Sequence, residues 1–152
     1  SVEVETQENI GTKFIIRIPL TLAIIQALLI KLKNEIYAIP LSSISEITSI
    51  HSTDIRDIHG QEVILYRDKT IPIVRLDKLM DVKEMEEKDE ITVVVVRKGD
   101  RQAGLIVDEL IGQQEIVIKP LGKYLCNVRY LAGATILGNG RISLILDVNS
   151  LF

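Results

Sequence analysis

The chain contains 152 residues, of which 47% are hydrophobic and 26% are charged, and its net charge is −3. This length allows one domain or two small domains with cores of their own, and the acidic balance argues against a general nucleic-acid binder, which usually carries a basic surface. A single cysteine, Cys126, excludes an internal disulfide and any multi-cysteine metal site, and it suits a reducing compartment. We interpret Cys126 as a small buried hydrophobic residue.

The first long apolar run, residues 14–32, has about the length of a membrane-spanning helix. Two residues argue against such a helix, because Arg17 would lie in the hydrocarbon and Pro19 would remove a backbone hydrogen bond and disfavour a helix at Ile18. Beyond the proline, "IIQALLIKLKNEIYAIPL" consists of two apolar runs around a turn-like "KNE". The sequence therefore predicts a strand, a joint and a hairpin, with no insertion into a membrane.

The remainder of the chain is typical of hairpins. Short stretches rich in Ile and Val are closed by turn residues in "EVILYRDKTIPIV", "ITVVVVRKGDRQAGLIV" and "GATILGNGRISLIL". Helix-like spacing is limited to "LDKLMDVKEMEEKDE", which predicts a helix end followed by an exposed acidic connector, and to "LDVNSL". These patterns predict a mainly β chain.

An internal repeat divides the chain into two similar units. The segment "KNEIYAIPLSSI" (residues 33–44) matches "GDRQAGLIVDEL" (99–110) in its order of strand, turn and strand. The segment "YRDKTIPIVRLDKLM" (66–80) matches "ILGNGRISLILDVNS" (136–150) in the same way, including a Leu-Asp pair in each. The repeat predicts two small five-stranded barrels joined near residues 82–90, a closure that would remove exposed sheet edges.

From Ile25 onward, these motifs resemble the CheW-like domain of bacterial chemotaxis proteins. The resemblance is carried by "YAIP", a Pro-Ile-Val strand, "GLIVDEL" and a final "GNG" hairpin leading into "ILD", in that order. It implies two SH3-like five-stranded β-barrel subdomains. We accordingly expect residues 1–20 to be the end of a preceding domain with its linker, 21–88 to be the first subdomain and 89–152 the second, with the closing segment able to pack back on the first.

The segment before this domain distinguishes two kinds of family member. A free-standing CheW-type coupling protein normally begins just before its first strand, whereas "GTKFIIRIPLTLAI" (residues 11–24) precedes it here. That segment resembles the last strand of the ATP-binding domain of the chemotaxis histidine kinase CheA, and "IPIVRL" and "YRDK" are more similar to the kinase than to the coupling protein. The resemblance therefore favours the C-terminal regulatory domain of CheA, with a free-standing coupling protein as the alternative.

Phosphoryl transfer from ATP needs a phosphate-cradling loop, a metal-binding group and a phosphoacceptor histidine. The "GNG" at residues 138–140 is typical of a tight hairpin turn, and His51 and His59 lie in a polar segment without regular ligand spacing. We expect no cofactor, no metal site and no catalytic residue in this fragment. By the resemblance, the ATP-binding and phosphoacceptor domains of the kinase lie outside it.

The acidic residues also have structural interpretations. Asp108 and Glu109 are adjacent at a strand end, where their side chains point apart, so they predict a turn or a solvated patch and not an acid/base pair. Asp77 and Asp147 recur at the step from strand to short helix, where a carboxylate can cap free amide groups. No nucleophile, base and orienting acid are visible together.

The resemblance implies a function in binding and not in catalysis. It implies that the domain binds the coupling protein CheW through one barrel of each protein, contacts the cytoplasmic tip of the chemoreceptors, and passes their signal to the kinase ATP-binding domain in cis. It also implies a cytoplasmic location at receptor arrays on the inner face of the membrane. Docking would bias the position of the kinase domain about a joint at residues 18–21.

Two strands supply candidate partner-binding residues. On the first, a strand flanked by polar turns, Val63 and Tyr66 could equally be core residues. On the second, "EIVIK", the alternation means that one side must face away from its own core unless the strand is covered on both faces. The six candidates are Glu62, Val63, Tyr66, Ile116, Val117 and Ile118.

Two other functions stay open at this point. A catalytic kinase fragment with its own ATP site would bind nucleotide by itself. A nucleic-acid-binding barrel would need basic residues interleaved with exposed aromatic residues, and the chain has only four Tyr and two Phe. We therefore expect no nucleic-acid partner.

Overall fold

The structure is a computed structural model that describes residues 2–17, 23–82, 88–122 and 128–152. Cys126 and the predicted joint at residues 18–21 lie outside these ranges. The described chain is mainly β, as predicted, with one short α-helix, α1 (Leu76–Leu79), and three 3-10 turns. The strands are β1 (Val2–Gln7), β2 (Gly11–Ile16), β3 (Ile24–Leu32), β4 (Glu35–Pro40), β5 (Ile44–His51), β6 (Arg56–Ile58), β7 (Gln61–Tyr66), β8 (Lys69–Arg75), β9 (Glu90–Lys98), β10 (Arg101–Val107), β11 (Glu109–Val117), β12 (Leu131–Ile136) and β13 (Ile142–Leu146).

The strands form a two-stranded sheet and two larger sheets. The six-stranded sheet has the order β5-β9-β10-β8-β7-β6, and the five-stranded sheet has the order β11-β3-β4-β13-β12. The two edges of the five-stranded sheet meet just beyond β11, where Lys119 and Ala134 exchange two backbone hydrogen bonds of 2.8 and 2.9 Å. No helix within the described residues is long and apolar enough to cross a membrane.

Each large sheet takes strands from both halves of the chain. The β3–β4 hairpin lies among β11, β12 and β13, and the β9–β10 hairpin lies among β5, β6, β7 and β8. The subdomain boundary predicted at residue 88 therefore does not separate the two sheets. The chain crosses between sheets by very short links: the 3-10 turn Leu41–Ser43 joins β4 to β5, and Asp108 alone joins β10 to β11.

The core has three parts, and the middle one takes residues from both large sheets. In β9, Val93 and Val95 pack inside the six-stranded sheet, while Val94 and Val96 point to the other face. A strand buried on both faces reads as a continuous apolar run, which explains "TVVVV". We call the middle part the inter-sheet core; its buried members are Leu28, Ile30, Leu32, Tyr37, Ile39, Leu76, Val94, Val96, Ala103, Leu105, Val107, Leu146 and Val148.

The β1–β2 hairpin has an uncovered apolar face. Val2 lies opposite Ile16 and Val4 opposite Phe14, so these four side chains share one side of the hairpin. Between 55% and 68% of each side chain is exposed. In the described part of the chain, β1 and β2 pair only with each other. This hairpin therefore adds little to the cores of the two larger sheets.

Removal of residues 1–19 should change the free energy of unfolding by less than about 1 kcal/mol, because the hairpin buries little surface. Urea unfolding followed by circular dichroism measures this change. As a matched control, deletion of residues 148–152 should be clearly destabilising, since Val148 belongs to the inter-sheet core. Loss of cooperative unfolding after the first deletion would instead make β2 an integral strand of this domain.

Candidate partner-binding surfaces

The outer face of β6, β7 and β8 carries the first exposed apolar surface. Ile64 is buried in the six-stranded sheet, so its neighbours Val63 and Leu65 point to the other side of β7. Val63 lies opposite Pro72, and Leu65 is 74% exposed. We call Ile58, Val63, Leu65 and Pro72 the first apolar patch. Among the candidates on this strand, Val63 is the one whose side chain belongs to the patch.

Glu62 lies on the opposite side of β7, where its side chain forms an ion pair within the domain. Its carboxylate accepts hydrogen bonds of 2.6 and 2.9 Å from Nε and Nη2 of Arg75, a bidentate pair. The bond to Arg75 lowers the pKa of Glu62 below its ordinary value. The ionised carboxylate therefore stabilises the fold at neutral pH, and this contribution is lost as the pH falls through the lowered pKa. Glu62 thus links β7 to β8 on the inner side.

Tyr66 also lies on the inner side and has a partner there. Its hydroxyl donates to the carboxylate of Glu46, and its ring packs partly against the core of the six-stranded sheet. The hydrogen bond to Glu46 raises the pKa of Tyr66. The same Glu46 carboxylate pairs with Arg67 at 2.6 Å. The structure thus separates Val63 from Glu62 and Tyr66, because residues two apart share a face and neighbours do not.

On β11, the three candidates also divide between faces. Ile116 is 3% exposed inside the five-stranded sheet, and Ile118 packs against the same cluster. Ile116 is therefore a core residue and not a surface one. Val117 points the other way, directly opposite Ile24 on β3, and both are partly or largely exposed. We call Ile24 and Val117 the second apolar patch.

A further exposed apolar pair escaped the sequence prediction. Ile136 and Ile142 lie opposite each other on β12 and β13, and both are exposed. Alternation in "GATIL" and "RISLIL" could have indicated them, because their neighbours Thr135 and Ser143 are buried. The "GNG" between them is a hairpin turn, as predicted, with Gly140 at φ +78°.

The acidic residues mostly have structural partners. Asp108 accepts a 2.6 Å hydrogen bond from the backbone N–H of Lys33, so it ties the link between the sheets to the β3–β4 turn. Asp147 caps the last 3-10 turn by accepting from the N–H of Asn149, as predicted. Asp77 is buried in the first turn of α1, where Arg75 and not Asp77 occupies the N-cap position.

Histidines do not form a catalytic or metal cluster in the described parts of the chain. His51 and His59 are exposed, and the backbone N–H of His51 donates to the carboxylate of Asp54. Within the residues that the structure describes, no group of three or more His, Cys, Asp and Glu is placed to hold a metal ion.

Two interleaved β-sheets around a shared core define a mainly β domain. This class is supported by the crystal structure of the scaffolding protein TtCheW from Thermoanaerobacter tengcongensis, which matches with a TM-score of 0.71 over 81% of this chain and 88% of that one, at 20% identity. A family model described as "CheW-like domain" matches residues 26–152. The chain belongs to the CheW-like domain family.

The curated relatives are proteins of the CheA type, one of which is named a sensor histidine kinase. The chain is 45% identical over 152 residues to "Chemotaxis protein CheA" of Bacillus subtilis, covering 99% of this chain and 23% of that protein. It is 44% identical over 151 residues to "Sensor histidine kinase CheAY" of Helicobacter pylori, covering 99% of this chain and 19% of that protein. The chain thus spans about a fifth to a quarter of the length of these relatives.

Proposed function

We propose that this chain is the regulatory and scaffolding domain of a chemotaxis histidine kinase of the CheA type. The observation that carries this proposal is the extent of the match: CheA relatives align with 99% of the chain, whereas the family model begins at residue 26. The alignment with the kinases therefore includes the β1–β2 hairpin. This favours a kinase domain over a free-standing coupling protein.

The uncovered face of β1–β2 supports the same assignment. Four large apolar side chains on an isolated hairpin are costly to leave in water and are typical of a surface that another domain covers. In the proposed kinase, that domain is the ATP-binding domain in cis, to which the hairpin belongs. Residues 18–21 then join the kinase core to the regulatory domain.

The proposed mechanism is docking without a reaction in this fragment. The domain binds the coupling protein CheW and the cytoplasmic tips of chemoreceptors through its outer apolar patches, in the cytoplasm at receptor arrays. Binding favours one position of the ATP-binding domain relative to the array, so the receptor state is coupled to kinase activity through a conformational equilibrium. No catalytic residue, cofactor or nucleic acid takes part in this step.

Calorimetric titration of the chain with CheW, with ATP and with single-stranded DNA tests the proposal. We expect saturable binding of CheW and no heat from ATP or DNA. The variant Val63→Asp, on the first apolar patch, should weaken CheW binding and leave the core intact. Binding of ATP in the absence of CheW binding would overturn the scaffold function and favour a catalytic fragment.

A further inference from the structure

A cationic cavity of about 480 Å³ lies at the end of the six-stranded sheet, on the side of the β7–β8 turn. It is formed where the start of β5, the β7–β8 turn and the β9–β10 hairpin come together. Its volume is within the range of small-ligand sites. The polar residues around it are Ser45, Tyr66, Arg67, Lys69, Arg97 and Gln102.

The charges of the cavity are unbalanced toward the positive side. Arg67 is paired with the carboxylate of Glu46. Lys69 and Arg97 are exposed, and neither forms an ion pair with any residue that the structure describes. Two unpaired cations beside a paired one are notable in a chain whose net charge is −3. The cavity therefore attracts anionic groups.

The β7–β8 turn fixes the backbone from which Arg67 and Lys69 project. Tyr66 pairs with Lys69 across a two-residue turn in which Arg67 and Asp68 have φ of +45° and +63°. Such a turn matches the twist of a hairpin and holds its residues in one conformation. The guanidinium of Arg67 also lies 5.5 Å from the ring centre of Tyr66. Arg67 is therefore ordered in the free domain, which lowers the entropy cost of binding beside it.

The cavity and the first apolar patch meet at the same hairpin. Leu65, a member of the patch that is 74% exposed, directly precedes Tyr66 on β7, and the two side chains point to opposite sides of the strand. A partner segment that crosses the β7–β8 turn would contact both surfaces. A small free anion would use the cationic side only.

We propose that this cavity binds the carboxylate of an Asp or Glu side chain in an acidic segment of the docking protein partner. The inference rests on the proposed docking function, because it specifies the chemistry of the partner that the patch contacts. Arg97 and Lys69 supply charge-assisted donors to the carboxylate. Arg67, paired with Glu46, lines the cavity beside them.

The test is an NMR titration of the ¹⁵N-labelled chain with a hexaglutamate peptide at low ionic strength, and in parallel with inorganic phosphate. We expect saturable shifts of the amides of Ser45, Arg97 and Gln102 with the peptide. The double variant Lys69→Gln/Arg97→Gln should bind the peptide about fivefold more weakly or worse, on the scale of two exposed ion pairs. Both side chains are exposed, so we expect the variant to fold, and thermal unfolding measures this.

Arg141→Gln is the matched control, because Arg141 is an exposed cation in the β12–β13 turn, away from the cavity. Equal peptide affinities for the double variant and for this control would overturn the proposal. Shifts with phosphate but none with the peptide would overturn it too, since a small anion would then be the ligand.

CheW binding, measured in the same buffer, separates this inference from the proposed function. If CheW binds and the peptide does not, the carboxylate site is overturned and the docking function stands. If the peptide binds at the cavity and CheW does not, the site is supported and the docking function is overturned.

Discussion

Replacement of Leu105 by Ala should lower the free energy of unfolding by about 3 to 4 kcal/mol, as truncation of a fully buried Leu does when the cavity cannot close. Leu105 is 0% exposed on β10, in the inter-sheet core, where residues of both large sheets pack together. The resulting cavity would remove contacts from both sheets at once. Urea unfolding monitored by far-UV circular dichroism measures the loss.

Leu65→Ala is the matched control for this substitution. The same atoms are removed from a side chain that is mostly in water, so the free energy of unfolding should change by less than about 0.5 kcal/mol. A similar decrease in the free energy of unfolding for Leu105→Ala and Leu65→Ala would mean that the inter-sheet core does not hold the two sheets together.

Val63→Asp and Val117→Asp should each leave thermal unfolding nearly unchanged, and at least one should weaken CheW binding by roughly 2 kcal/mol or more, as truncation of an interface hot spot does. Both side chains point away from their own cores, so an added carboxylate stays in water in the free domain. In the complex it would be buried without a partner. Surface plasmon resonance should show the loss mainly as faster dissociation.

Ile116→Asp is the contrasting variant. It should unfold the domain, because an unpaired charge would lie inside the five-stranded sheet. Ile118→Asp should also be destabilising, since Ile118 packs against the same cluster. In the proposed full-length kinase, the surface variants should keep basal autophosphorylation and lose receptor-coupled activity. If both surface variants unfold or bind CheW as tightly as the parent, the interface lies elsewhere on the two sheets.

Hairpins and turns could be predicted because their signals are local. The valines of β9 and the "GNG" turn each depend on a few neighbouring residues. Strand β5 was missed although its partly buried and exposed residues alternate strictly over Ile44–His51, because its polar residues are typical of a loop as well as of one strand face. Strand β1 was missed for the same reason, with Val2 and Val4 alternating with glutamates.

Longer-range features could not be read from the same patterns. The repeat correctly identified pairs of equivalent hairpins. Two equivalent hairpins can pair with the same neighbouring strands, so the repeat could not indicate which hairpin belongs to which sheet. The sequence also could not indicate which side of β7 faces the core, because "EVILY" places apolar residues on both faces. Only the packing around Ile64 decides that Val63 is outside and Tyr66 inside.

The short links between the sheets limit how the domain can respond to a partner. Only a three-residue turn follows β4, and only Asp108 separates β10 from β11. Such short links restrict the rotation of one sheet relative to the other. A displacement of either sheet by a bound partner is therefore transmitted to the other sheet through the backbone. The domain should therefore move as one rigid unit, and a conformational change in the proposed kinase should occur outside it.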